Sequence, residues 1–466
     1  DFGASRAPPP PPPAKVQKLR LPGLDSVRFF LIAYISVGHF IMCATKDMFV
    51  LKLFTQVNVV VGAFFVLSGY VAGYVATELR KYEASPRISP EPAYTIGRIA
   101  GYYPLYLFVQ VLFGAMFVFA DVTYNGPLST AFHALITMTM TQAWFPLHAE
   151  LWNAPTWFLS ALTFAMLVLP YALPPLAKMR KGALRKTMLA LAGISLVAKL
   201  GYSYDLNAWT MMEGVTPPKL MPNLMYFNAM RFNPFFALVE VLMGVVAARM
   251  VMTESQEETD ASAQSGVPPA VLAVAMVAGM WARAAGLVAV NDMLFRGLFF
   301  IPLFTWFCIR VHKVTVATGG APASSLTKLL AAKPLVYLGS ISFAIFMIHG
   351  PLGQLFYKKF VRAHSGASPA APSPASPRAR RVLTAHPPAR ARAVRQGRRH
   401  QGLGGGLHQV SVVLPLLVHH GAPSGGCATK VLHREQGGAA GHQGRHQGRA
   451  GLVRVGLLRC TRLRRA

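Results

Sequence analysis

The stretch LDSVRFFLIAYISVGH (24–39) holds an arginine, Arg28, and a histidine, His39, inside an otherwise apolar run. At about 100° per residue, the interval between them closes to within about 20° of a whole number of helical turns. Both therefore lie on one stripe of a helix, ~16 Å apart along its axis. Asp25 and Ser36, each three residues earlier, fill neighbouring positions of that stripe. An imidazole takes up and releases protons near neutral pH, whereas a guanidinium stays charged and holds phosphates or carboxylates. Ionisable groups are costly against lipid, so the stripe should face the inside of a helix bundle. A plainer reading has Arg28 reaching out to headgroups and His39 hydrogen-bonding between packed helices. Two further stretches shift that balance. GAFFVLSGY (62–70) brings Ser68 and Gly69, small residues that let helix backbones approach closely. LGSISFAIFMIHGP (338–351) brings a second intramembrane histidine, His349, seven residues after Ser342 on the same face. Histidines in two separate spans are more than packing usually needs. Embedded His and Arg also mark ion pathways, which makes a transporter the rival reading. Neither an internal repeat nor paired Gly/Pro-broken helices are visible to favour it.

These residues need a membrane scaffold, and the composition supplies one. The 466 residues are 53% hydrophobic and only 14% charged, against about a quarter charged in soluble domains. Repeated apolar runs are long enough for a hydrocarbon core of ~30 Å. The expected fold is all-α, a polytopic transmembrane bundle with nine clear spans: 27–45, 57–77, 102–120, 155–175, 186–203, 234–252, 268–290, 294–311 and 336–358. Segment 128–145 is apolar but Thr-rich. If it does not cross, the basic connections near Lys15–Arg20, 79–98, 178–186 and 310–333 all share the cytosolic side. We therefore expect it to be a surface or re-entrant piece, and the acidic run 254–266 to be a cytosolic linker. Cys43, Cys308, Cys427 and Cys460 are scattered, so no disulfide or zinc framework and no metal site is expected. Residues 1–20 read as a disordered Pro-rich and basic lead without an apolar signal core, and 21–361 as the membrane domain. The first residue is Asp1 rather than Met, so the true start is expected to lie upstream.

The net charge of +29 is not evenly spread. From Arg362 onward there are 18 Lys and Arg against one acid, Glu435, together with nine of the 14 histidines. Most of the basicity thus belongs to 362–466, and it gives no reason to expect a nucleic-acid partner for the rest. That tail reads either as a disordered basic extension or as a translation in the wrong codon frame. A one-base shift makes 410–436 compatible with an apolar helix followed by YFIENK. We take the frame-shift as a hypothesis that would give the intact protein a tenth span. Sequencing the transcript across codons 355–440 tests it, and an uninterrupted frame as printed would overturn it.

Six stretches in order carry a resemblance: LDSVRFFLIAYISVGH, FFVLSGY, GRIAGYYPLY (97–106), NAPTWFLSALTF (153–164), NPFFALVEVLMG (233–244) and LGSISFAIFMIHGP. Together, across residues 20–360, they resemble the acyltransferase 3 family of integral-membrane O-acyltransferases. The first matches that family's Arg-x10-His pattern at Arg28 and His39. The resemblance implies a ten-helix membrane domain. It also implies transfer of an acyl group, usually acetyl from acetyl-CoA, to a hydroxyl of a carbohydrate or lipid-linked acceptor. Acyl-CoA would be a co-substrate, with no bound cofactor. His39 is then the expected general base and Arg28 a donor-binding or structural partner. Arg98 becomes a second candidate for the coenzyme A phosphates, with Ser68 and His349 as further substrate-binding candidates. Two departures stand out. Gly101 occupies the place of a second family arginine, and Leu162 that of a glutamate in the Trp-Ser-Leu-Ser-x-Glu element, where Trp157, Leu159 and Ser160 match. They keep open a catalytically inactive relative acting as a scaffold. The acceptor, the acyl chain length, the cellular membrane and the oligomeric state are not written in the sequence.

Overall fold

Pro22 opens the first helix, α1 (Pro22–Ala44), at a position where its missing N–H costs nothing. In the computed structural model, which describes residues 19–77, 92–216, 220–221 and 223–356, every regular element is helical. The short α2 (Met48–Phe54) is capped by Asp47, which accepts from the Val50 N–H at 2.8 Å. Helix α3 (Val57–Ala76) then returns alongside α1. Three short helices follow: α4 (Pro92–Ala100), α5 (Tyr103–Leu112) and α6 (Gly114–Asn125). Gly126, at φ +80°, turns the chain into α7 (Pro127–Met138). A strap without regular helix beyond single turns leads from Met140 to α8 (Trp157–Lys178), and α9 (Lys181–Asp205) follows. The rest is α10 (Leu224–Phe232), α11 (Pro234–Met252), α12 (Gln256–Ser265), α13 (Pro269–Ala284), α14 (Asp292–Ala317, with a π-helical turn at Arg296–Phe300), α15 (Ser325–Leu330), α16 (Lys333–Ser340) and α17 (Ser342–Leu355).

The expected count of nine spans is not reproduced. Among the described residues, five helices are long and apolar enough to cross a membrane, and up to eight if each bent pair counts as one crossing. The bends are 61° between Ala93–Leu112 and α6, 54° between α12 and α13, and 61° between α16 and α17. Expected spans 102–120, 268–290 and 336–358 fall in or across these pairs. The expected span 186–203 lies within α9, which also carries Lys181, Arg185, Lys186 and Lys199 and so is not apolar enough to count. Helix α7 covers 12 residues, ~18 Å at 1.5 Å per residue, and falls short of a ~30 Å core. The acidic 254–266 run is not a plain linker. Ser255 and Glu258 form a capping box that starts α12. The Pro-rich lead up to 18, most of the 79–98 connection and the whole 362–466 tail lie outside the described residues.

Helices α3 and α11 form the centre of the bundle, and two glycines set their separation. A Cβ on Gly69 would run into the Val241 carbonyl, and one on Gly244 into the Val66 carbonyl. Both obstacles are backbone and cannot swing aside. Arg249 of α11, fully buried, ties the inner helices together by donating to the carbonyls of Thr77 (2.7 Å) and Ala177 (2.9 Å). Gly69→Leu is therefore expected to prevent α3 and α11 from docking, a cost above the ~1–3 kcal/mol of ordinary overpacking. The check is the yield of monodisperse detergent-solubilised protein and its melting temperature. A variant as stable as the parent would refute this close packing.

Candidate active site

A cavity of about 190 Å³ runs beside the polar stripe of α1. Arg28, Ser68 and Ser342 line one end, while His39, Val57, Asn58 and Arg231 line the other. Between them the wall is apolar and aromatic, with Ile35, Val61, Phe64, Phe158 and Phe346. Three of the residues picked from sequence thus share one space, although they come from α1 and α3. Arg28 donates to the Asp25 carboxylate at 2.9 Å, an i,i+3 pair within α1. Asp25 also receives Arg20 at 3.3 Å. Arg98, in the last turn of α4, is half-buried over the Tyr94 ring, 5.3 Å from its centroid. It is not among the lining residues. It does lie near enough to Arg28 for the two positive charges to repel. Its neighbour on the wall is Tyr102, whose hydroxyl bonds that of Thr163 at 2.9 Å.

His349 does not line the cavity but sits behind His39. Its Nε2 is 3.0 Å from His39 Nδ1, and its own Nδ1 is 2.6 Å from the Phe346 carbonyl. A carbonyl can only accept, so His349 Nδ1 must carry a hydrogen. In the neutral ring, Nε2 is then the lone-pair nitrogen and accepts from His39 Nδ1–H. That assignment passes along the pair and leaves the basic lone pair of His39 on Nε2. The two rings are within 6° of coplanar with centroids 5.2 Å apart, as an in-plane N–H···N bond requires. Met347, two residues before His349, is held by Asn153, which donates to its carbonyl at 2.9 Å.

The far end of the cavity carries charges that the sequence reading did not single out. Arg231 of α10 donates Nη2 to Glu150 Oε1 at 2.7 Å, and its Nε lies 2.7 Å from Glu213 Oε1. Asn58 donates to the other Glu213 oxygen at 2.9 Å and accepts from Arg296 at 2.9 Å. Arg296 and Lys199 converge on Glu240, the latter at 3.1 Å, and Arg283 pairs with Asp292 at 3.0 Å. Four cations are thus matched in number by four acids, Arg231 taking two of the acids and Glu240 two of the cations, and every charge has an opposite partner, as a buried polar network demands. Burial pushes the Glu213 carboxyl up to about 7, against the opposing pull of Arg231.

A second chain of imidazoles lies in the hairpin of α6 and α7. Asp121 accepts from His133 Nδ1 at 2.9 Å and from the Trp152 indole at 2.9 Å, while His133 Nε2 is 3.0 Å from His148 Nδ1. Residues 148–157 therefore form one strap: His148 meets His133, Glu150 meets Arg231, Asn153 meets the α17 backbone, and Pro155 and Trp157 reach the cavity wall. Among the described residues, no group of three or more His, Cys, Asp and Glu has metal-binding geometry. Of the two departures, Gly101 is exposed in the turn after α4, and Leu162 lines the cavity. The acids near the cavity come from Glu150 and Glu213 instead. Ser160 is turned away to accept from the Ala143 N–H at 3.1 Å. A family model described as an acyltransferase domain matches residues 21–375. No curated protein and no solved structure matches the chain.

Proposed function

The chain belongs to the acyltransferase 3 family, a membrane acyltransferase family, and from that premise we propose that it moves an acyl group, acetyl first, from acyl-CoA to a hydroxyl. The acceptor is a carbohydrate or a lipid-linked carbohydrate. One observation supports the reading: Arg28 and His39 line the same cavity, and the His39 ring is bonded through Nδ1 to His349, which is bonded in turn to the Phe346 carbonyl. The coenzyme phosphates stay at the Arg28 mouth, where Arg98 adds a second positive charge. The thioester arm lies along the apolar wall toward His39. His39 Nε2 takes the proton of the acceptor hydroxyl as its oxygen bonds the thioester carbonyl carbon. The C–S bond then breaks, and the imidazolium returns its proton to the thiolate, so ester and free coenzyme A leave with no net proton change. The apolar wall keeps water from competing for the acyl group.

The test is direct. Membranes bearing the full chain are given acetyl-labelled CoA together with carbohydrate and lipid-linked acceptor fractions. Label is expected in an alkali-labile ester of one fraction, with coenzyme A released in equal amount. If label reaches no acceptor and no thiol is released, the enzymatic reading fails, leaving a carrier or an inactive scaffold.

A further inference from the structure

We propose that the Arg231 end of the cavity is the acceptor subsite, and that it selects a carbohydrate ring bearing hydroxyls but neither carboxylate nor phosphate. The inference rests on the acyl-transfer reading only for placing the donor at the Arg28 mouth. Distance along the helices separates the two ends. Arg28 and His39 stand three turns apart on α1, and Ser68 and Val57 stand the same interval apart on the returning α3. All four line the cavity. Each helix thus has one residue at the mouth and one at the far end, and the base belongs to the far end.

Charge separates the ends as well. At the mouth, Arg20 and Arg28 both pair with Asp25, and Arg98 lies near enough to Arg28 to repel it, so among the described residues cations outnumber acids there. That excess of positive charge suits phosphates. At the far end, Arg231 is already matched by both Glu150 and Glu213. Depending on whether Glu213 is ionised, this trio is neutral or carries one negative charge. An anionic ring entering here gains no unmatched cation among the described residues and meets two acids. An uncharged polyol fits the same groups. Its hydroxyl oxygens accept from guanidinium N–H groups that the two carboxylates leave over, and its hydroxyl hydrogens face acceptor oxygens.

The wall completes the match. Trp157 and Pro155 line the cavity near Arg231. Trp157 is held between Phe232, at 4.8 Å between centroids, and Phe65, at 6.3 Å. A fixed, flat apolar surface beside hydrogen-bonding groups accommodates the C–H face of a sugar ring while its edge is bonded. Arg231 itself is packed at 4.5 Å over the Phe232 ring, so aromatic surface and guanidinium are set by one element, α10.

Substituted-cysteine protection tests this without relying on turnover. In a full-length chain with its four native cysteines replaced by alanine, Val57→Cys and Ser68→Cys are made separately and alkylated in membranes with N-ethylmaleimide. The probes are methyl glucoside, galactoside and mannoside, their matching uronosides, and acetyl-CoA. At least one neutral glycoside is expected to slow alkylation of the Val57→Cys thiol. The slowing should be roughly tenfold at about ten times its dissociation constant, because only the unoccupied fraction reacts. No uronoside should do so, and the Ser68→Cys thiol should be unaffected by sugars. Arg231→Gln should abolish the sugar effect while acetyl-CoA still protects the Ser68→Cys thiol, which also reports that the variant is folded. The proposal is overturned if no glycoside protects, if uronosides protect equally, if sugars protect the Ser68→Cys thiol instead, or if protection survives Arg231→Gln. Sugar protection as expected, with acetyl-CoA protecting neither thiol, would leave the subsite standing and remove the acyl-CoA reading. The reverse pattern would remove the subsite alone.

Discussion

Replacing His39 with alanine is expected to slow acetyl transfer by about 10²–10⁴-fold, the usual worth of a positioned general base. Binding of acetyl-CoA should change little, because Arg28 and Ser68 lie at the opposite end of the cavity. The loss should therefore fall on kcat and leave the acetyl-CoA KM nearly intact. Added imidazole should restore part of the rate, since the truncation removes a ring from the cavity wall and leaves the rest of that wall in place. Transfer by His39→Ala at the parent rate would end the assignment of His39 as base. Arg28→Ala offers the contrast, because a residue that holds phosphates should raise the acetyl-CoA KM first. Opposite splits for two residues of one helix stripe would be hard to explain by a general loss of structure.

Much of this site was legible because it is local. Arg28 and His39 obey helical arithmetic within one helix, and Ser68 and Gly69 sit in an apolar run whose small residues announce close packing. The far end was not legible, because its bonds join residues remote in sequence. Asn58 meets Glu213 across 155 positions, and Arg231 meets Glu150 across 81. No periodicity links them, and Glu150 and Glu213 fall in irregular connections where single acids draw no notice. His133 and His148 were passed over for a similar reason. His133 alone reads as an ordinary polar residue of the weak apolar segment and His148 as one of the connection after it, and only the fold of α6, α7 and the strap chains them to Asp121. The span count departed from expectation on other grounds. A hydropathy window averages over residues on both sides of a bend, so it merges Ala93–Leu112 with α6 across a 61° break. Such breaks serve the site. The one at Ile341 starts α17, and with it the helix that carries Ser342 at one end of the cavity and His349 behind the other.

His349 is expected to matter almost as much as His39 although it does not line the cavity. With His349→Leu, the Nδ1–H of His39 loses this acceptor, and the imidazole can place its hydrogen on Nε2 instead. Holding a catalytic imidazole in the wrong tautomer is enough to cost orders of magnitude in rate. We expect kcat to fall by about 10²–10³-fold with the acetyl-CoA KM unchanged, since His349 does not line the wall. His349→Gln should retain more activity than His349→Leu, because the side-chain carbonyl of glutamine can still accept from Nδ1. Melting temperatures of the solubilised variants separate this role from a packing one. If the leucine and glutamine variants lose activity equally, and in step with their stability, His349 holds the helix and not the tautomer. If the glutamine variant keeps both its fold and a larger share of kcat, the line from the Phe346 carbonyl through His349 to His39 is what sets the base.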